Sequence, residues 1–261
     1  MSKKKQRVIY YENELEDEFS IAKIQAKTID ETYSYKGGWL RKVARFVVYH
    51  GLAKWIAWLY LKVAFGHRIV NKQVLRQVRD TGYFQYGNHT NAAADALIPT
   101  MLRFWQGAYV IVHPNNVSMP VFGKLTPALG AIPLPDTKQA MKHFSKDIRE
   151  KIENRRLVTI YPEAHIWPYY TKIRPFRKDS FGYPVQLGVP VICFTNTYQR
   201  RRFGRKPRIV TYVDGPFYPD ETLSRGEQKE KLRQQVYEAM VRESRHNTVE
   251  WITYRKKETK K

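Results

Sequence analysis

From Thr81 to Arg245, short runs rich in β-branched and aromatic residues alternate with segments of helical period. That order constrains the fold more than any other feature of the chain. TGYFQYGNH (81–89) reads as a strand entering a loop, residues 92–105 as a helix and AYVIVH (108–113) as a second strand. Thr137 to Arg156 repeats Met141, Phe144, Ile148 and Ile152 at a helix period. LVTIYPE (157–163), VPVICFTNTY (189–198) and IVTYV (209–213) read as strands. A last helix from Ser224 to Arg245 places Leu232, Val236 and Met240 four residues apart. With no internal repeat and no linker, this β-α-β order predicts an α/β fold: a single domain with a mixed β-sheet flanked by helices. A chain of 261 residues can bury the core such a sheet needs.

Charge narrows the partner. Lys and Arg number 46 against 24 Asp and Glu, a formal +22, while 43% of residues are hydrophobic. A disordered polycation is excluded by that apolar content, leaving a folded protein with an anionic partner. Residues 1–36 hold seven Lys/Arg and seven Asp/Glu, so the excess lies in residues 37–261. Between Thr32 and Arg79 there are ten Lys/Arg and no acidic residue. Four parts are expected: a polar arm (1–36) with a short helix around Phe19 to Ala26, an amphipathic helical segment (37–79), the α/β domain (80–250) and a frayed basic tail (251–261). The opening MSKKKQRVIYYENELEDE lacks an apolar core after its basic residues and is read as no secretory signal. No apolar run reaches the roughly 18–20 residues of a spanning helix.

Residues 39–66, WLRKVARFVVYHGLAKWIAWLYLKVAFG, are dense in aromatics yet interrupted by Arg41, Lys42, Arg45, Lys54 and Lys62. Gly51 is expected to separate two helices, the second running from Lys54 to Phe65. The residues support two readings equally: core-packing helices with solvated lysines, or a helical pair lying in the headgroup layer of an anionic membrane.

Two loops carry residues suited to chemistry. In GNHTNAAADALIP (87–99), Asn88 ends a strand, His89 lies in the strand-to-helix loop and Asp95 lies within the helix. A histidine base needs a carboxylate that fixes its tautomer, and the helix start offers N–H groups to an anion. Six residues turn a helix by 240°, so the pair meets only if His89 folds back over the first turn; otherwise this is a capped helix with an incidental pair. In YPEAHIWPYYTKIRPFRKDSFGYPVQLGVPVICF (161–194), Glu163 follows a strand and Arg174, Arg177 and Lys178 form a basic loop. That loop is equally a solvated surface. The single cysteine, Cys193, sits in an apolar strand and rules out a multi-cysteine metal site.

Taken together these segments resemble the glycerolipid acyltransferases, a family that includes 1-acylglycerol-3-phosphate acyltransferase, over about residues 80–217. Asn88, His89 and Asp95 match its Asn-His-x-x-x-x-Asp motif with one extra residue. Phe122-Gly123 and Gly130-Ala131-Ile132 match a second region, and Tyr161-Pro162-Glu163 a third. Arg174 to Asp179 and Val189-Pro190-Val191-Ile192 match the downstream stretches. Two motif arginines are absent: the second region reads Leu134-Pro135-Asp136, and Ile166 stands in the third.

The resemblance implies an O-acyltransferase of phospholipid biosynthesis, bound peripherally at the cytoplasmic face of the membrane. Acyl carrier protein or coenzyme A would deliver the acyl chain as a thioester, and a lysophospholipid hydroxyl would receive it. His89 is then the base and Asp95 its orienting partner, with backbone N–H groups near His89 stabilising the oxyanion. Asn88, Glu163, Arg174, Arg177 and Lys178 are the expected substrate-binding residues. No metal or tightly bound cofactor is implied. A basic nucleic-acid-binding protein, supported by the RRRFGRKPR turn (200–208), is the alternative from another class; a catalytically weak lipid-binding relative is the third.

Overall fold

The computed structural model describes residues 7–19, 26–35, 38, 39, 43, 45–118, 126–204 and 206–258. Most of the helix expected around Phe19 to Ala26, together with Arg41, Lys42 and the Phe122-Gly123 match, lies outside these residues.

Seven strands form the central sheet. In chain order they are β2 (Arg68–Val70), β3 (Tyr83–Gly87), β4 (Ala108–Val112), β5 (Ala131–Pro133), β6 (Leu157–Ile160), β7 (Val191–Gln199) and β8 (Arg208–Phe217). Their spatial order is β2-β8-β7-β3-β6-β4-β5. Neighbours run parallel except β7 and β8, which are antiparallel, so the sheet is mixed as expected. Strand β3 is central and buried along its whole length, with Phe84 opposite both Val158 and Val191. Burial on both faces is why YFQYG carries no polar alternation.

Side-chain alternation splits the core in two. On one face Tyr83, Leu157, Ile192 and Phe194 pack against α1 (Lys54–Phe65) and α2 (Ala92–Leu102). On the other, Phe84, Tyr86, Val158 and Cys193 pack against α4 (Lys138–Glu153) and α6 (Arg225–Ser244). Two shorter helices, α3 (Asn115–Ser118) and α5 (Gly182–Leu187), complete the connections. Phe144, Ile148 and Ile152 of α4 and Leu232, Val236 and Met240 of α6 are buried as their spacing requires. Caps fix the starts: Thr137 accepts from the Ala140 N–H, and Ser224 with Glu227 forms a reciprocal capping box.

Three expectations are corrected. Gly51 breaks nothing: a π-helical stretch, Arg45–Ala53, runs straight into α1. A lone helical glycine in open space is tolerated at about 1 kcal/mol. The stop comes at Gly66, whose φ of 55° lets its N–H reach back to the Leu61 and Lys62 carbonyls. Second, residues 54–79 of the expected amphipathic segment are built into the domain: β2 joins the sheet beside β8, and Ala57, Leu61, Phe65, Leu75 and Val78 enter the core. Lys54 is buried too, donating to the Phe104 and Gln106 carbonyls. Third, the basic tail does not simply fray. Residues Ile252–Lys256 form β9, which pairs parallel with β1 (Arg7–Tyr11) from the polar arm.

The face of α1 turned away from the core is apolar. Trp55, Ile56, Trp58, Leu59 and Val63 are all exposed. Among the described residues no helix is long and apolar enough to cross a membrane.

Candidate active site

Strand β3 ends at Gly87, and the chain must turn there to start α2. Gly87 is dictated by close approach, because a Cβ would lie 2.3 Å from the Phe194 ring and 2.9 Å from that of Tyr161. The next residue, Asn88, extends the sheet by its side chain: Nδ2 donates to the Asn196 carbonyl at 3.0 Å and Oδ1 accepts the Asn196 N–H at 2.7 Å. Asn88 therefore splices β3 onto β7 one step beyond the backbone ladder. Asn91 then caps α2 by accepting the Ala94 N–H at 3.1 Å.

Between these two asparagines the chain folds back. His89 Nδ1 lies 2.8 Å from Asp95 Oδ2, so the six-residue spacing closes through a loop that doubles over the first helical turn. The same Asp95 oxygen accepts the N–H groups of Thr90 and Asn91, each at 2.8 Å. Asp95 is 1% exposed, whereas the His89 side chain is 24% exposed. With Nδ1 engaged, Nε2 is the nitrogen left to work on a proton. Tyr161 stacks against the imidazole at 4.6 Å between centroids, and its hydroxyl donates to the Asp95 carbonyl. Burial and the nearby Asp95 push the Tyr161 phenol well above its ordinary range, so it stays protonated and keeps that bond.

Glu163 reaches the pair through the main chain. Its Oε2 accepts the His89 N–H at 3.0 Å, and its Oε1 accepts the Arg174 N–H at 3.0 Å. The Arg174 guanidinium lies 3.3 Å from Glu163 and also donates to the His165 and Glu14 carbonyls. Both side chains are fully buried, so each satisfies the other's charge. Arg174 was expected at the substrate; it instead locks the loop that carries Glu163. Above it Trp167 packs on Tyr11, Phe19 and Tyr254, and its indole N–H donates to the Asp17 carbonyl at 2.7 Å.

The remaining expectations separate. Arg177 is exposed, and Lys178 pairs at 3.6 Å with Glu230 of α6. The N–H groups of His89, Thr90 and Asn91 are occupied by carboxylates, so they are not the oxyanion donors expected near His89. Exposed first-turn residues Ala92 and Ala93 carry the N–H groups that an α-helix leaves without an internal acceptor. Asp136, standing where an arginine was expected, binds the Ile29 N–H at 2.6 Å, and Ile166 is buried. Burial pushes the Cys193 thiol well up, which disarms it as a nucleophile. Among the described residues no three His, Cys, Asp or Glu side chains gather as a metal site.

Residues the sequence reading passed over complete the site. Asn196 Nδ2 donates to Asp95 Oδ1 at 3.2 Å, while Tyr198 donates to the Thr90 carbonyl at 3.0 Å. Both come from β7, far along the chain, and no local pattern marks them.

A histidine–aspartate pair at the carboxyl end of central strands, with the histidine side chain partly exposed, suits acid–base acyl transfer. Comparison with known proteins agrees. The family model described as Acyltransferase matches residues 67–196. A search of curated proteins by sequence finds no match. Among solved structures, the chain is similar to the 1-acyl-sn-glycerophosphate (LPA) acyltransferase PlsC from Thermotoga maritima. The TM-score is 0.56 and the identity 19%, covering 80% of this chain and 84% of that one. At that identity the likeness speaks for the fold; the family match speaks for the class of enzyme. The chain belongs to the acyltransferase family.

Proposed function

We propose that this enzyme transfers a fatty acyl chain from a thioester to the hydroxyl of a lysophospholipid, working at an anionic membrane surface in phospholipid biosynthesis. The 2.8 Å contact between His89 and Asp95 carries the reading. The acceptor oxygen attacks the thioester carbonyl carbon as His89 Nε2 takes the hydroxyl proton, and Asp95 steadies the resulting imidazolium. The tetrahedral intermediate then expels the thiolate, which recovers the proton from His89, leaving ester and free thiol. Charge on the oxyanion falls to the N–H groups of Ala92 and Ala93 at the positive end of α2. Acyl carrier protein and coenzyme A are both anionic donors that the +22 charge would attract. The thioester is a co-substrate, and the reaction as written calls on no tightly bound cofactor.

The exposed apolar face of α1 supports docking on a membrane surface, which this reading takes to be the cytoplasmic face. Beside it a groove of about 510 Å³ runs between Trp55, Trp58, Met101, Phe104 and Trp105, with Lys62 and Lys72 on its walls. An apolar surface edged by lysines fits acyl chains below anionic headgroups. Product analysis tests the whole reading. Purified enzyme is offered acyl carrier protein and coenzyme A thioesters with a panel of lysolipids in anionic vesicles, and diacyl product should form. His89→Ala should abolish it; product from His89→Ala at the wild-type rate would overturn the mechanism.

A further inference from the structure

Behind the catalytic pair the hydrogen bonds do not stop at Asp95. Asn196 of β7 donates to Asp95 Oδ1 at 3.2 Å, and Thr211 of β8 donates to Asn196 Oδ1 at 2.7 Å. His67 Nε2 lies 2.9 Å from the same Thr211 hydroxyl. Asn196 and Thr211 face each other across the antiparallel β7–β8 pair, and His67 directly precedes β2 at the sheet edge. All four side chains are buried.

The direction of every bond follows from one end. A carboxylate only accepts, so the Asn196 atom facing Asp95 is the amide nitrogen. Its oxygen then faces Thr211 and can only accept, which claims the one proton of the hydroxyl. Thr211 must in turn accept from His67, so the hydrogen of the His67 ring sits on Nε2. Burial, with Lys62 and Lys72 nearby, pushes the His67 imidazolium down to about 4, so the ring is neutral and has one hydrogen to place. Reversing any link sets two acceptors or two donors against each other inside the core.

We infer that His67, Thr211 and Asn196 are positioning residues, a one-way hydrogen-bond chain through the sheet that fixes the Asp95 carboxylate and, through it, the His89 ring. This rests on the catalytic reading of His89 and Asp95. Asp95 Oδ2 already serves His89, Thr90 and Asn91; its other oxygen depends on Asn196 for orientation. A carboxylate held at both oxygens cannot rotate, and a rotation of even a fraction of an ångström misdirects the base.

Two measurements test it. Thr211→Val keeps the shape and removes the hydroxyl; kcat per folded molecule should fall about tenfold to a hundredfold with KM for both substrates unchanged. Thr211→Ser, which restores the hydroxyl, should recover most of that loss. A purely structural threonine would lower the melting temperature and leave kcat of the folded fraction alone, and that result would overturn the inference. So would equal kcat losses in both variants, which would mark a packing effect. Should Thr211→Val not fold, nitrogen-15 spectra of the wild-type histidines decide: His67 should be a neutral Nε2–H tautomer, and an Nδ1–H tautomer or an imidazolium at neutral pH breaks the chain. An active His89→Ala removes the catalytic reading itself; an inactive His89→Ala beside a Thr211→Val with wild-type kcat removes only the chain.

Discussion

At the scale of single residues the catalytic pair behaves as one unit. Asp95→Asn should lower acyl transfer by about 10² or more, because a neutral amide cannot steady the imidazolium, and with its oxygen on His89, Thr90 and Asn91 its NH2 meets the Asn196 amide donor. Combined with His89→Ala it should add almost nothing, since each loss already disables the pair. Steady-state rates on one lysolipid panel check both statements, and additive losses would separate the residues. His67 makes a distinct claim about stability. Its ring is held neutral in the fold, down to about 4, while an unfolded histidine takes its proton near pH 6.5. The unfolded chain therefore binds more protons between those values, and stability falls as pH drops through that window by about 3 kcal/mol in all. His67→Gln should flatten that part of the pH–stability curve, measured by urea unfolding. His89 and Asp95 stand out in the sequence through the motif they match with one extra residue, whereas the six-residue spacing by itself leaves their meeting open until the loop is seen to fold back. Asn196 lies 101 residues from Asp95, and Thr211 lies 144 from His67, so only the sheet brings them together.

Elements show where pattern is informative and where it fails. The long amphipathic helices α4 and α6 follow from their spacing, although Met141 is exposed and the buried stripe of α4 begins at Ala140. β2 and β5, three residues each, are too short for a period of two to register. β1 and β9, RVIYY and ITYRK, sit in charged surroundings and pair only with each other. For α1 the hydrophobic pattern points both ways, since both faces carry apolar residues and only packing reveals which is covered. Trp58→Glu with Leu59→Glu should leave the melting temperature within a degree or two, because both side chains are exposed. Sedimentation with anionic vesicles should nevertheless drop about tenfold or more, each lost apolar side chain removing roughly 1.5–3 kcal/mol of burial in lipid. Unchanged sedimentation would move the docking surface elsewhere. At the other end of the site, Gly87→Ala forces a methyl against Phe194 and Tyr161. It should cost about 1–3 kcal/mol by thermal unfolding and reduce kcat, since Tyr161 carries the His89 ring on its face.

Over the whole molecule, charge sets how substrates arrive. With +22 spread through residues 37–261, raising salt at fixed donor concentration should raise KM for the anionic thioester and leave kcat nearly unchanged. A flat response would leave the charge to the membrane alone. The overall architecture was readable because strand–helix alternation is a local property; the wrapping of the arm was not, because it depends on contacts across nearly the full chain. Glu12 meets Lys257 at 2.6 Å over a separation of 245 residues, beside the β1–β9 pair. That pair has a consequence for the order of events in a cell. When β1 leaves the ribosome it has no partner, and it must wait through synthesis of the entire sheet before β9 follows. Asp17 and Glu14 hold the loop of Glu163 and Arg174 from that waiting arm. A nascent chain can therefore complete its sheet and its histidine pair first and gain the clasp over Trp167 only once β9 has emerged. Chains stalled short of Ile252 should be folded, tethered by their sheet, and readily cut by protease between Tyr11 and Phe19.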